Sequence, residues 1–142
     1  MKTFDSLHRY QDYGVLLLRL IVGIRLLQGT WDNIISWNQM LEFEKFLAAN
    51  GMIFPLQAAI VSVYAQFICG ILFIVGWQTR FAAMVMIFNF TVALLLVHTH
   101  DTLQGAFPAL IIWAVSVFLL LNGAGKISVD ERVLKASYGS EP

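Results

Sequence analysis

The sequence predicts an all-α fold: an integral membrane four-helix bundle with an outer amphipathic helix between the first and second spans. Three observations carry that prediction. Of 142 residues, 58% are hydrophobic and 13% charged, whereas soluble domains run at about half apolar and about a quarter charged. From Phe46 to Gly125 the charged residues are Arg80 and Asp101 alone, which leaves uncharged runs at 46–79, 81–100 and 102–125. Each run has room for the roughly 20 apolar residues that cross about 30 Å of hydrocarbon. An earlier apolar stretch, broken only by Arg19 and Arg25, supplies a fourth crossing.

The first span is placed at 13–31, YGVLLLRLIVGIRLLQGTW. Lys2 and Arg9 precede it as they would a signal peptide, but two arginines interrupt its apolar region and no small-x-small cleavage site follows. It reads as a retained helix. In the connection that follows, Trp37, Met40, Leu41, Phe43, Phe46 and Leu47 recur near helical spacing, with Glu42, Glu44 and Lys45 between them and Asn50-Gly51 as a stop. This is an amphipathic helix, lying on the membrane or capping the mouth of the bundle. The second and third spans, 55–77 and 81–97, are separated only by Gln78-Thr79-Arg80, so they form an antiparallel hairpin. His98 to Thr102 leads into the fourth span, 103–122, and the tail 123–142 carries Ser128-x-x-Glu131, a capping-box spacing that starts a short helix. The whole chain, 1–142, is one four-span domain.

Orientation comes from the cations outside the spans. Lys2, Arg9, Arg80, Lys126, Arg132 and Lys135 fall on one side and Lys45 alone on the other. The positive-inside rule then puts both termini, and the 123–142 tail, in the cytoplasm.

Composition also excludes some functions. A net charge of zero offers no basic surface for nucleic acid. Cys69 is the single cysteine, so neither an internal disulfide nor a self-contained thiol–disulfide relay can form. There is no Ser-His-Asp arrangement, phosphate loop or carboxylate pair.

The residues that could carry chemistry are the polar ones inside the spans. An arginine at mid-span costs about 2.5–3.5 kcal/mol on insertion scales, so each needs a partner or a route to water. Arg19 lies near the cytoplasmic end of its span and takes a structural role, either snorkelling to the headgroups or reaching an acid such as Asp130 in the tail. Arg25 is about 18 Å of helix beyond Tyr13, with Gln28, Gly29 and Asp32 on the same stripe at i+3, i+4 and i+7. Ser62, Gln66 and Gly70 repeat every fourth residue on the second span, Asn89 and Thr91 sit mid-way along the third, and His98 ends it. The expectation is an outward-opening polar pocket of Arg25, Gln28, Asp32, Gln66, Asn89 and His98, suited to a small anion or a quinone-like carbonyl. The alternative is that these groups satisfy one another and hold the helices together. No metal site is expected: His98 and His100, at i, i+2, point to opposite sides of a helix.

Leu18-Arg19-Leu20-Ile21-Val22-Gly23, Gln28-Gly29, the run from Gly70 to Arg80, His98 and the run from Gly123 to Asp130 together resemble the DoxX family of small four-helix bacterial membrane proteins. Leu18-Arg19-Leu20-Ile21-Val22-Gly23 is similar to the family's Leu-Arg-Leu-x-x-Gly opening, and Gln28-Gly29 stands where it often has His-Gly. Residues Gly70 to Arg80, GILFIVGWQTR, resemble its Gly-x-x-Leu-x-x-Gly-x-x-Thr-Arg hairpin. His98 matches the histidine ending its third helix, and Gly123-Ala124-Gly125-Lys126-Ile127-Ser128-Val129-Asp130 matches its Gly-Pro-Gly-x-x-Ser-x-Asp tail. The family commonly has Glu where this chain has Gln66, an amide that does not titrate, and a lysine near Asp32.

The resemblance implies a bacterial cytoplasmic (inner) membrane location and an association with redox chemistry. Relatives include a membrane subunit of a thiosulfate:quinone oxidoreductase and membrane components of oxidative-stress complexes. The expectation is a redox-linked subunit, not a complete enzyme, that binds quinone or a small sulfur anion and carries no covalently bound cofactor. A second reading is a non-enzymatic scaffold that anchors partner proteins or further copies of itself in the bilayer. A third is a small-solute carrier, which would need polar lining from both sides.

Overall fold

The computed structural model describes residues 10–96 and 103–138. They form six helices: α1 (Gln11–Ile35), α2 (Trp37–Ala49), α3 (Pro55–Val75), α4 (Thr79–Leu96), α5 (Leu103–Asn122) and α6 (Val129–Tyr138). Four of these, α1, α3, α4 and α5, are long and apolar enough to cross a membrane. The first runs one turn past Trp31, the end of its predicted span.

Local chemistry sets the boundaries. Ser36 adopts an extended conformation and breaks α1 from α2, its N–H returning to the Asp32 carbonyl at 3.0 Å. Asn50 closes α2 by donating its side-chain amide to Phe46 O at 2.8 Å. Proline stands at the first position of α3, where a missing N–H costs nothing. At the other end of α3, Gly76 takes φ 72° and donates to Leu72 O at 2.8 Å, a left-handed helix stop. Ser128 caps α6, accepting the Glu131 N–H at 3.2 Å as the capping-box spacing predicts.

α1 packs along α3 and α4 along α5, with α3 against α4 and a short contact between α1 and α5. α1 and α3 approach closely. A Cβ on Gly23 would stand 2.8 Å from the Gly70 carbonyl, and one on Gly70 would stand 3.0 Å from the Gly23 carbonyl. Two facing glycines thus let the backbones touch, the small-residue packing that holds membrane helices together without a hydrophobic driving force. Val22, Leu26, Cys69, Phe73, Ala82, Ala83, Met86 and Phe90 form the core around this crossing, completed by Ala109, Ile112 and Leu119 of α5. A second cluster, Met40 and Leu47 against Ala59 and Val63, seats α2 on α3.

The outer faces are as apolar as the core. Leu17, Ile21, Ile24, Val61, Ile68, Ile71, Met84, Phe88, Leu95, Ile111, Phe118 and Leu121 are all exposed. An apolar surface of this extent, wrapped around four long helices, is what a protein solvated by lipid presents.

Candidate functional site

Three groups of polar residues stand out, and the fold separates them.

The first is at the end of the bundle where α3 turns into α4. Arg19 is 1% exposed. Its Nε donates to Phe73 O at 2.9 Å and its Nη2 to Ile74 O at 3.2 Å. Its Nη1 donates to Ala124 O at 2.7 Å and Ile127 O at 2.9 Å. Phe73 and Ile74 are in the last turn of α3, whose carbonyls have no partner within the helix. Arg19 therefore caps α3 and straps the 124–127 segment to it. Gly76 makes the room, since a Cβ there would collide with the Arg19 guanidinium and come within 2.8 Å of Ser128 Cβ. Asp130 works in the opposite sense. Its carboxylate accepts the Gln78 N–H at 2.7 Å and the Thr79 N–H at 3.0 Å, at the start of α4. Its own N–H donates to Gly76 O at 2.9 Å, and its charge acts favourably on Arg19. Arg19 thus engages backbone carbonyls where the sequence offered headgroups or Asp130, and Asp130 engages backbone amides.

The second group is the stripe on α1. Val15, Arg19, Val22, Gly23, Leu26 and Thr30 turn inward. Arg25, Gln28 and Asp32 are consequently exposed on the other side of the helix. The Arg25 Nη1 lies 3.2 Å from where a Gly29 Cβ would be, so the guanidinium folds along its own helix. Among the described residues Arg25 has no hydrogen-bond or ion-pair partner.

The third group lines a pocket of about 410 Å³ enclosed by α2, α3 and α4, with Ala109 of α5. Phe43, Phe46 and Leu47 close it from α2, and Phe88, Phe90, Val92 and Leu96 wall it from α4. Its polar groups are Ser62 and Gln66 from α3 and Asn89 from α4. Gln66 Nε2 donates to Ser62 Oγ at 2.9 Å, while the Asn89 amide has no partner among the described residues. The neighbouring polar side chain on α4, Thr91, is committed elsewhere: it donates to Ile87 O at 2.7 Å and accepts from Trp113 Nε1 at 3.0 Å.

Of the expected pocket residues, the fold brings Gln66 and Asn89 together and leaves Arg25, Gln28 and Asp32 outside. The cause is the Gly23–Gly70 crossing, which fixes the rotation of α1. His98 and His100 lie outside the described residues. Among the described residues no group of three His, Cys, Asp or Glu side chains could hold a metal, and Cys69 is buried in the core. The sequence offered α2, through Phe43, Phe46 and Leu47, as a helix on the membrane or a cap on the bundle mouth, but not the crevice between α3 and α4 that those residues close.

The DoxX family model matches residues 14–99, more than half of the chain. No curated protein and no solved structure matches significantly.

Proposed function

The chain belongs to the DoxX family, and we propose that it is a redox-linked subunit of the bacterial inner membrane, with both termini cytoplasmic, that binds a quinone-like carbonyl compound in the α2–α3–α4 pocket. The observation that supports this reading is the Asn89 amide. It is an uncommitted donor at the wall of a pocket that, apart from the mutually bonded Ser62 and Gln66, is built from aromatic and aliphatic side chains. An unpaired amide in hydrocarbon carries a desolvation cost, and a ligand carbonyl relieves it while the phenylalanines take the ring. Arg25 is not among the lining residues, so the pocket lacks the cation that a sulfur anion such as thiosulfate would require. A lipid-soluble carbonyl compound is the better fit.

The test is thermal unfolding in neutral detergent with a short-tail quinone. At about a hundred times its dissociation constant, a ligand adds about 2.7 kcal/mol. Stabilisation of the wild type that is lost in Asn89→Leu, with the variant melting normally in the absence of quinone, supports the reading. No stabilisation, or equal stabilisation of both proteins, refutes it.

The exposed Arg25–Gln28–Asp32 stripe favours a second reading, a scaffold whose α1 face meets another membrane segment. Cross-linking in membranes from Gln28→Cys distinguishes the two, because Cys69 is buried and does not compete.

A further inference from the structure

Between α6 and the α3–α4 turn runs a groove of about 760 Å³, separate from the α2–α3–α4 pocket. Its charged lining residues are Asp12, Arg80, Lys126, Asp130 and Glu131. Each acid is already engaged. Asp130 accepts two backbone amides at the start of α4. Asp12 takes the Lys126 N–H at 3.0 Å and lies 3.6 Å from its Nζ. Glu131 pairs with Lys135 at 3.4 Å. Arg80 is the exception: its side chain lies along Gly123, about 3.4 Å from where a Cβ would be, and it has no hydrogen-bond or ion-pair partner among the described residues. Beside it in the wall, Thr79 carries a buried hydroxyl with no hydrogen-bond partner among the described residues.

The position of Arg80 tells what could satisfy it. It is the second residue of a membrane-spanning helix, next to the turn between two spans, and such turns lie at headgroup depth. The groove is also amphipathic. Trp77, Phe81, Val133 and Leu134 line it and are exposed, an apolar collar of the kind that can pack against glycerol and the first methylenes of an acyl chain. Guanidinium recognises phosphate through paired hydrogen bonds, and a free phosphate would have no use for the collar.

We propose that this groove binds the phosphate of an anionic phospholipid, with Arg80 as its ligand. Lipid held there bridges the α3–α4 turn and α6, so it fastens the tail to the membrane face of the bundle.

The experiment uses the full chain in neutral detergent, with thermal unfolding and native mass spectrometry as readouts. Phosphatidylglycerol, phosphatidylcholine and inorganic phosphate are added at matched concentrations. Preferential binding of phosphatidylglycerol to the wild type is expected, weakened about tenfold or more in R80Q, the loss of one charge-assisted pair. R132Q, which removes a cation that does not line the groove, should bind as the wild type does. Lipid-free melting checks that R80Q is folded. Equal binding of the two lipids, an R80Q that binds like the wild type, or an R132Q that loses as much as R80Q would overturn the assignment. So would inorganic phosphate reproducing the effect, which would make the groove a site for the free ion.

Discussion

Replacing Arg19 tests the reasoning about the bundle most directly. Arg19→Met keeps an unbranched stem as far as the position of Nε and removes the guanidinium. Four hydrogen bonds go with it, at 2.7, 2.9, 2.9 and 3.2 Å. A bond from a charged donor contributes about 1.5–3 kcal/mol net, but burying the cation itself costs several kcal/mol and offsets much of the sum. What remains is the cost of stranding buried carbonyls, about 3–5 kcal/mol by analogy with breaking a buried ion pair. At about 2–4 °C per kcal/mol for a chain of this size, the midpoint in detergent should fall by about 10 °C, followed by tryptophan fluorescence. Arg19→Lys keeps the charge but offers its donors from one point, so it cannot reach four carbonyls on two segments and recovers only part of the loss. Gly76→Ala supplies a cross-check. Alone it suffers both φ 72° and collision with the guanidinium. Combined with Arg19→Met it should cost less than the sum, because the collision with the guanidinium is gone while that with Ser128 Cβ stays. An Arg19→Met protein within about 0.5 kcal/mol of the wild type, the range of ordinary surface changes, would refute the account of the clamp.

Other substitutions separate structural from surface roles. Gly23→Val drives a side chain into the Gly70 carbonyl and should cost about 1–3 kcal/mol or prevent assembly, measured as a lowered unfolding midpoint. Asp130→Ala uncovers two amides at the start of α4 and should cost about 0.5–2 kcal/mol, as loss of a helix cap does, in the same assay. Arg25→Leu removes an exposed cation that has no partner among the described residues, so the isolated protein in detergent should melt within about 0.5 kcal/mol of the wild type. A large loss there would show that Arg25 is held inside the bundle.

Much of this architecture was legible in the sequence. The placement of Arg80 and Asp101 marked out the crossings, and Asn50-Gly51 and Ser128-x-x-Glu131 marked a helix stop and a helix start. The rotation of α1 was not legible. In water an apolar stripe tells which face of a helix is buried, but in lipid both faces are apolar and the stripe carries no direction. Depth along the helix gave Arg19 a structural role and Arg25 a place in the expected pocket, but it did not say which of the two faced the bundle. What distinguishes them is Gly23 meeting Gly70, a contact visible only once the helices are packed. That contact turns Arg19 toward the carbonyls ending α3 and Arg25 toward the outside. The α2 closure of the pocket escaped for a related reason: Phe43 and Phe46 announced an amphipathic helix, but nothing along the chain said which crevice it would cover.

The strap made by Arg19 bears on how the protein is made. Its acceptors are separated from it by as many as 108 residues, so a ribosome delivers the first span long before it delivers Ala124 and Ile127. Until then the membrane holds a helix with an incompletely matched cation near one end, able to slide or tilt toward water. The two hydrogen bonds to Ala124 and Ile127 can form only once residues 124–127 have been made, so the full set that holds Arg19 is completed late in synthesis.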